Sequence, residues 1–137
     1  MNRILLAVAD RTSSDAYVRC MEQEGFEVCA VFGGVECAEQ LINAGVDLLI
    51  IDAGLLWGGC DGVLEWLSFQ PVGPNLPVIL LGEPHNRLQT LELWEYATES
   101  LGLMIDRVLF QPVTPRQLLL EAVKVRLSFE RFDVRAV

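Results

Sequence analysis

Histidine is nearly missing from this sequence: His85 is the single one. Cationic side chains are also few, with 10 Lys+Arg against 19 Asp+Glu. A duplex phosphate backbone repels such a surface, and no Lys/Arg cluster interrupts it, so binding to DNA or RNA is not expected. The net charge of −9 reads most simply as solubility. No two of the four cysteines, Cys20, Cys29, Cys37 and Cys60, form a C-x-x-C pair. With one histidine to supplement them, a zinc site is not expected. Each lies in or beside an apolar segment, as free buried thiols do. Long hydrophobic runs are missing too. A membrane span needs about 20 apolar residues, and runs such as Val46–Ile51, which contains Asp47, are of strand length. Met1-Asn2-Arg3 leads straight into Ile4-Leu5-Leu6 with no small-residue cleavage site, so the expected compartment is the cytosol and no membrane partner is foreseen. There is no internal repeat and no low-complexity segment.

What is present is one domain's worth of core: 137 residues, 52% hydrophobic. Short apolar runs alternate with amphipathic stretches. Leu5–Ala9 predicts a first strand ending at Asp10. Ser13-Ser14-Asp15 offers caps for a helix carrying Tyr17, Val18 and Met21, which Gly25 stops. Phe26–Phe32 predicts a second strand, followed by a Gly33-Gly34 turn and a helix with Ala38, Leu41 and Ile42 that ends at Gly45. Leu48–Ile51 is apolar on both faces, which suits the centre of a parallel sheet, and it ends on Asp52. Asp61 is placed to cap a helix with Leu64 and Leu67. Val78–Leu81 predicts a fourth strand ending at Gly82, and Leu88–Leu101 a long helix ended by Gly102. Val108–Phe110 predicts the fifth strand. Thr114 and Gln117 then form a capping box with Pro115 at the first helical position, and Leu118, Ala122 and Val123 form the inner face of the last helix.

Five strands alternating with five helices imply an α/β fold, a doubly wound parallel sheet with helices on both faces and right-handed connections. The flavodoxin-like order 2-1-3-4-5 puts any site at the carboxyl ends of strands 1 and 3, where Asp10 and Asp52 meet the rim positions Gly82 and Gln111. The domain is expected to span residues 1–128, with 129–137 as a tail that carries no pattern.

In this order the segments resemble a response-regulator receiver domain. The resemblance is carried by Ile4–Asp10, Glu24–Val28, Asp47–Asp52, Asp61-Gly62, Leu76–Leu81 and Phe110–Thr114, which together run through nearly the whole chain. It implies that Asp52 is the phosphoacceptor position of a domain modified by a histidine kinase. It also implies a magnesium site at Asp10, Asp52 and the Gly54 carbonyl, and a cis bond at Gln111–Pro112. The chain departs from that family at four pocket positions: Ala9 replaces one of an acidic pair, Gly82 a hydroxyl residue, Gln111 a lysine and Val108 the switch aromatic. Phosphoryl transfer depends on neutralising charge on the equatorial oxygens. A magnesium site short of one carboxylate is weak, and one preorganised donor is worth about 10²–10³ in rate. Arg11 and Arg87 lie near the rim loops as candidate substitutes for the lysine. The expectation is a pseudo-receiver: not an enzyme, with phosphoryl acceptance at Asp52 weak or lost. Its magnesium binding is weak, and its partners are signalling proteins, either a histidine kinase or an output domain. Partner binding or self-association as a homodimer is expected through the last two helices and strand 5.

Several residues carry plainer readings beside these. Asp52 reads alternatively as a relic that hydrogen-bonds locally, and Asp10 as a cap for the first helix. His85 reads as an exposed loop residue. Trp57, in the loop after Asp52, is either a partner contact or a cover for its own pocket. Trp66, Trp94 and Tyr96 are expected to pack, and Glu92, Glu95 and Glu99 to form a solvated face. A working, phosphorylated receiver is one alternative function. A flavin-phosphate domain is another, with Thr12-Ser13-Ser14 at a helix N-terminus. That loop has no glycine, however, and Asp10 repels phosphate. A corrinoid domain needs a histidine after strand 1, and none stands there.

Overall fold

The computed structural model describes residues 3–43, 45–55 and 59–136, with backbone alone from 127 onward. Five parallel strands, β1 (Arg3–Ala7), β2 (Glu27–Val31), β3 (Leu48–Asp52), β4 (Pro77–Gly82) and β5 (Met104–Phe110), form one sheet in the order β2-β1-β3-β4-β5. This is the expected doubly wound, flavodoxin-like arrangement. Strand alternation divides the core into two layers. Leu5, Ala7, Leu49, Ile51, Val78 and Leu80 face the helices α2 (Gly34–Asn43) and α3 (Gly59–Ser68). Ile4, Leu6, Ile50, Ile79 and Leu81 face α1 (Arg11–Gln23) and α5 (Pro115–Ala136). The central strands are buried on both faces, so they read as unbroken apolar runs. Among the described residues no helix is long and apolar enough to cross a membrane.

Local sequence explains most helix boundaries. Gly25 takes φ +90° after α1, a left-handed turn that costs glycine nothing. Thr114 and Gln117 form the expected capping box: the Thr114 amide donates to Gln117 Oε1 at 2.9 Å and the Gln117 amide to Thr114 Oγ1 at 3.1 Å. Two expected caps are corrected. Helix α1 starts at Arg11 with Asp10 as its cap, upstream of Ser13-Ser14-Asp15, because β1 ends early enough for the first competent side chain to serve. Helix α3 starts at Gly59, so Asp61 lies inside the first turn, where a carboxylate favours the positive end of the helix dipole.

The long helix expected over Leu88–Leu101 is also corrected. It divides into α4 (Arg87–Glu95) and a π turn over Tyr96–Ser100, closed by Gly102 at φ +69°. Trp94 and Tyr96 do not pack as expected; they are 41% and 44% exposed, because the apolar residues of α4 do not gather on one face and Leu93 is the one that turns onto the first layer, while Tyr96 lies beyond the end of α4. Trp66 does pack, half-buried against the first layer, and Glu92, Glu95 and Glu99 are exposed. Strand β5 carries a bulge: Val78 pairs with Ile105 and Ile79 with Arg107, which leaves Asp106 without a partner in the register. Helix α5 runs as backbone to Ala136.

Candidate functional site

The carboxyl ends of β1 and β3 part company at the centre of the sheet, and the crevice they leave is the natural ligand position of such a fold. It has a volume of about 350 Å³. Ala9, Asp10, Asp52, Gly54 and Gln111 all line it, so the expected site residues do converge. Gly82 and Val108 do not line it. Val108 packs half-buried against the first core layer.

Asp52 ends β3 and is 5% exposed. A carboxylate that deep must be hydrogen-bonded, and it is. Its Oδ1 accepts from the Gly54 amide at 2.9 Å and from Gln111 Nε2 at 3.0 Å, while its Oδ2 accepts from the Ala9 amide at 3.2 Å. All three donors are neutral. Gln111–Pro112 is cis, as the resemblance implies.

Asp10 sits on the rim as the α1 cap. Its carboxylate accepts from the Ser13 amide at 3.1 Å and the Ser13 hydroxyl at 2.6 Å. The Ser13 hydroxyl, and after it the amide, hold the Asp10 carboxyl below its ordinary range. Tyr17, buried one helical turn deeper, donates its hydroxyl to the Val113 carbonyl at 2.6 Å and ties α1 to the loop after β5. Burial raises its phenol, and Asp52 and Asp10 raise it further.

Two residues join the site that the sequence reading missed. Glu83, directly after β4, extends its side chain over Gly54. A β-carbon there would fall 3.2 Å from Glu83 Cδ, closer than ordinary contact, so the carboxylate takes the space a side chain at 54 would need. Thr90 of α4 is 3% exposed; its hydroxyl accepts from the Glu83 amide and donates to the Asn86 carbonyl, each at 3.3 Å. Neither role has a local signature, since both depend on the spaces left by distant glycines. The crevice therefore holds three carboxylates, Asp10, Asp52 and Glu83, and no Lys or Arg among its described lining residues.

The two arginines considered as substitutes for a lysine are engaged elsewhere. The Arg11 guanidinium lies 4.1 Å from the centre of the Phe32 ring, and that of Arg87 lies 4.8 Å from the centre of Phe110. His85 is exposed and does not line the crevice. Trp57 lies outside the described residues. Cys37 and Cys60 are buried free thiols; burial, and then Cys29, push Cys37 up to about 12.

Magnesium takes oxygen ligands in near-octahedral geometry. The oxygen donors are present at Asp10, Asp52 and Glu83, but Asp10 is turned to Ser13 and both Asp52 oxygens are occupied. Among the described residues no three His, Cys, Asp or Glu side chains are gathered as a metal site. Asp10, Asp52 and the Gly54 carbonyl are the groups that would hold the ion, and the two carboxylates would first have to give up their present donors.

No family model matches the chain. The swarming motility regulation protein RssB of Serratia marcescens is 31% identical over 88 residues, which cover 64% of this chain and 39% of that protein. The chain thus spans well under half the length of this curated relative. The chemotaxis response regulator CheY4 of Vibrio cholerae superposes with a TM-score of 0.74 at 16% identity, covering 90% of this chain and 97% of that one. A CheY-like receiver domain from Methanospirillum hungatei superposes at 0.71 and 23% identity, covering 97% and 98%. The receiver domain of a signal transduction histidine kinase from Syntrophus aciditrophicus gives 0.73 and 24%, covering 93% and 91%. The strand order, the convergence of Asp10, Asp52 and Gln111, and these superpositions agree: the chain has the fold that response-regulator receiver domains share.

Proposed function

We propose that this receiver domain is a signalling interaction module in which phosphoryl acceptance at Asp52 is weak or lost. One observation carries the reading. The buried Asp52 carboxylate is held by three neutral donors, beside Asp10 and Glu83, in a crevice whose described lining contains no cation. A phosphoryl group arriving there brings negative charge to carboxylates that no cation among the described lining residues offsets. A magnesium ion held by Asp10, Asp52 and the Gly54 carbonyl would supply positive charge. It binds weakly, because Asp10 must first release Ser13 and Asp52 its amide donors.

On this reading the chain is not an enzyme and acts in the cytoplasm through protein partners. A histidine kinase or an output domain suits the fold, and the acidic surface does not suit nucleic acid. The exposed apolar side chains of α4, Leu88, Leu91 and Trp94, support partner docking or self-association on the side of α4, β5 and α5. Intact-mass spectrometry after treatment with acetyl phosphate and magnesium tests the proposal. The expected result is little or no addition. Near-complete gain of one phosphoryl group, abolished by Asp52→Asn, would overturn it and restore the reading of a working receiver.

A further inference from the structure

Gly82 closes β4 and pairs in register with Phe110 of β5. Its φ lies outside the left-handed region, so the backbone does not require glycine. Space does. A β-carbon at 82 would lie 2.7 Å and 2.9 Å from Phe110 Cδ1 and Cε1, and 2.8 Å from Thr90 Cγ2. The Phe110 ring and the Thr90 methyl group therefore occupy the volume that any other residue at 82 would need. The guanidinium of Arg87, the first residue of α4, stands over the same ring at 4.8 Å. Phe110 thus touches the end of β4 and the first turn of α4 together.

Helix α4 has little else to hold its start. Its cap residue, Asn86, makes no side-chain capping bond, and Thr90 is its one buried residue. Thr90 is itself locked by the Glu83 amide and the Asn86 carbonyl. The ring packed against a bare glycine, with Thr90 beside it, is the anchor that remains. We infer that Gly82 and Phe110 are a complementary pair that fixes the amino-terminal half of α4 to the strand ends. The pair holds the outward face of α4, Leu88, Leu91 and Trp94, in one position whatever the state of Asp52. The significance of that face rests on the function proposed above; the anchoring does not.

Amide hydrogen exchange tests the pair with the protein alone, comparing Leu91–Glu95 of α4 with Leu49–Ile51 of β3 as an internal reference. Phe110→Ala should speed exchange in α4 by about tenfold or more and leave β3 protected. Gly82→Ala should do the same. The double variant should exchange no faster than Phe110→Ala, because the new methyl group enters the space the ring has left. Effects that multiply to about a hundredfold overturn the pairing. So does unchanged α4 exchange in Phe110→Ala, or equal loss in β3, and these outcomes decide the matter even if Gly82→Ala does not fold. Asp52→Asn and Asp52→Glu should leave α4 exchange within about twofold of the parent; a change confined to α4 overturns its independence from Asp52. Because no phosphodonor is used, the fate of acetyl phosphate at Asp52 has no bearing on these results.

Discussion

Replacing Gln111 by lysine would put a cation where a neutral amide now stands, 3.0 Å from Asp52 Oδ1. At that separation and an effective dielectric near 20, the gross attraction to the carboxylate is about 5 kcal/mol. Two losses offset it. The present hydrogen bond to the charged oxygen contributes about 1.5–3 kcal/mol, and desolvating an ammonium group costs several kcal/mol. The folded state should therefore change by no more than about 1–2 kcal/mol in either direction. The kinetic effect should be much larger, because the ammonium also faces the incoming phosphoryl oxygens, and one preorganised donor is worth about 10²–10³ in rate. Gly82 still offers no hydroxyl and Ala9 no carboxylate, so the gain belongs at the lower end, about a hundredfold. The assay is a time course of intact mass in acetyl phosphate and magnesium, with Gln111→Lys compared to the parent and Asp52→Asn/Gln111→Lys as the blank. An unchanged rate in a variant that folds normally would refute the reasoning: missing positive charge would then not be what limits acceptance.

The Asp10 cap should make stability depend on pH. Its carboxyl is lowered in the folded state by Ser13, so its contribution is present above the ordinary carboxylate range and is lost as pH falls through the folded value. Asp10→Ala should accordingly lower the urea midpoint at pH 7, and the gap to the parent should close below about pH 4. Tyr17→Phe removes the 2.6 Å bond to Val113 and should cost about 1 kcal/mol, read as a melting temperature lower by about 2–6 °C. Cys37 and Cys60, with thiols raised by burial, should resist Ellman's reagent in the native protein; all four cysteines should react once it is unfolded.

The sheet was legible because each central strand is a short apolar run that can lie only between two helical layers. The Thr114–Gln117 cap was legible because the whole motif fits within four residues of chain. The start of α1 was legible only as a choice, of which the reading of Asp10 as a cap is the one the structure bears out. Asp10, Ser13, Ser14 and Asp15 can all cap, and which one serves depends on where β1 stops. The break in α4 was hidden for a related reason, since a shift of backbone hydrogen bonding at Tyr96 leaves no mark on residue type. In the crevice, Asp10, Asp52 and Gln111 could be found because strand ends declare themselves. Glu83, and beside the crevice Thr90 and Phe110, could not, because their roles exist only where Gly54 and Gly82 leave room for side chains from elsewhere.

The bulge at Asp106 acts as a phase marker for everything after it. Strand side chains alternate between faces, so one unpaired residue inverts the parity of the rest of the strand. Ile105 faces the layer of α2 and α3 with Val78, yet Arg107, two positions on, reaches Glu121 of α5 on the opposite side. From there Leu109 falls to the α1 and α5 layer and Phe110 to Gly82 and α4. Were Asp106 paired in a regular ladder instead of bulged out, Arg107 would be driven toward the apolar layer, and the Phe110 ring would be carried away from α4. Gln111 would lose its line to Asp52. The bulge, which does not line the crevice itself, thus lets the strand change over midway which of its residues face which layer, and it is the unpaired state of Asp106 that keeps Arg107, Phe110 and Gln111 on the sides where they act.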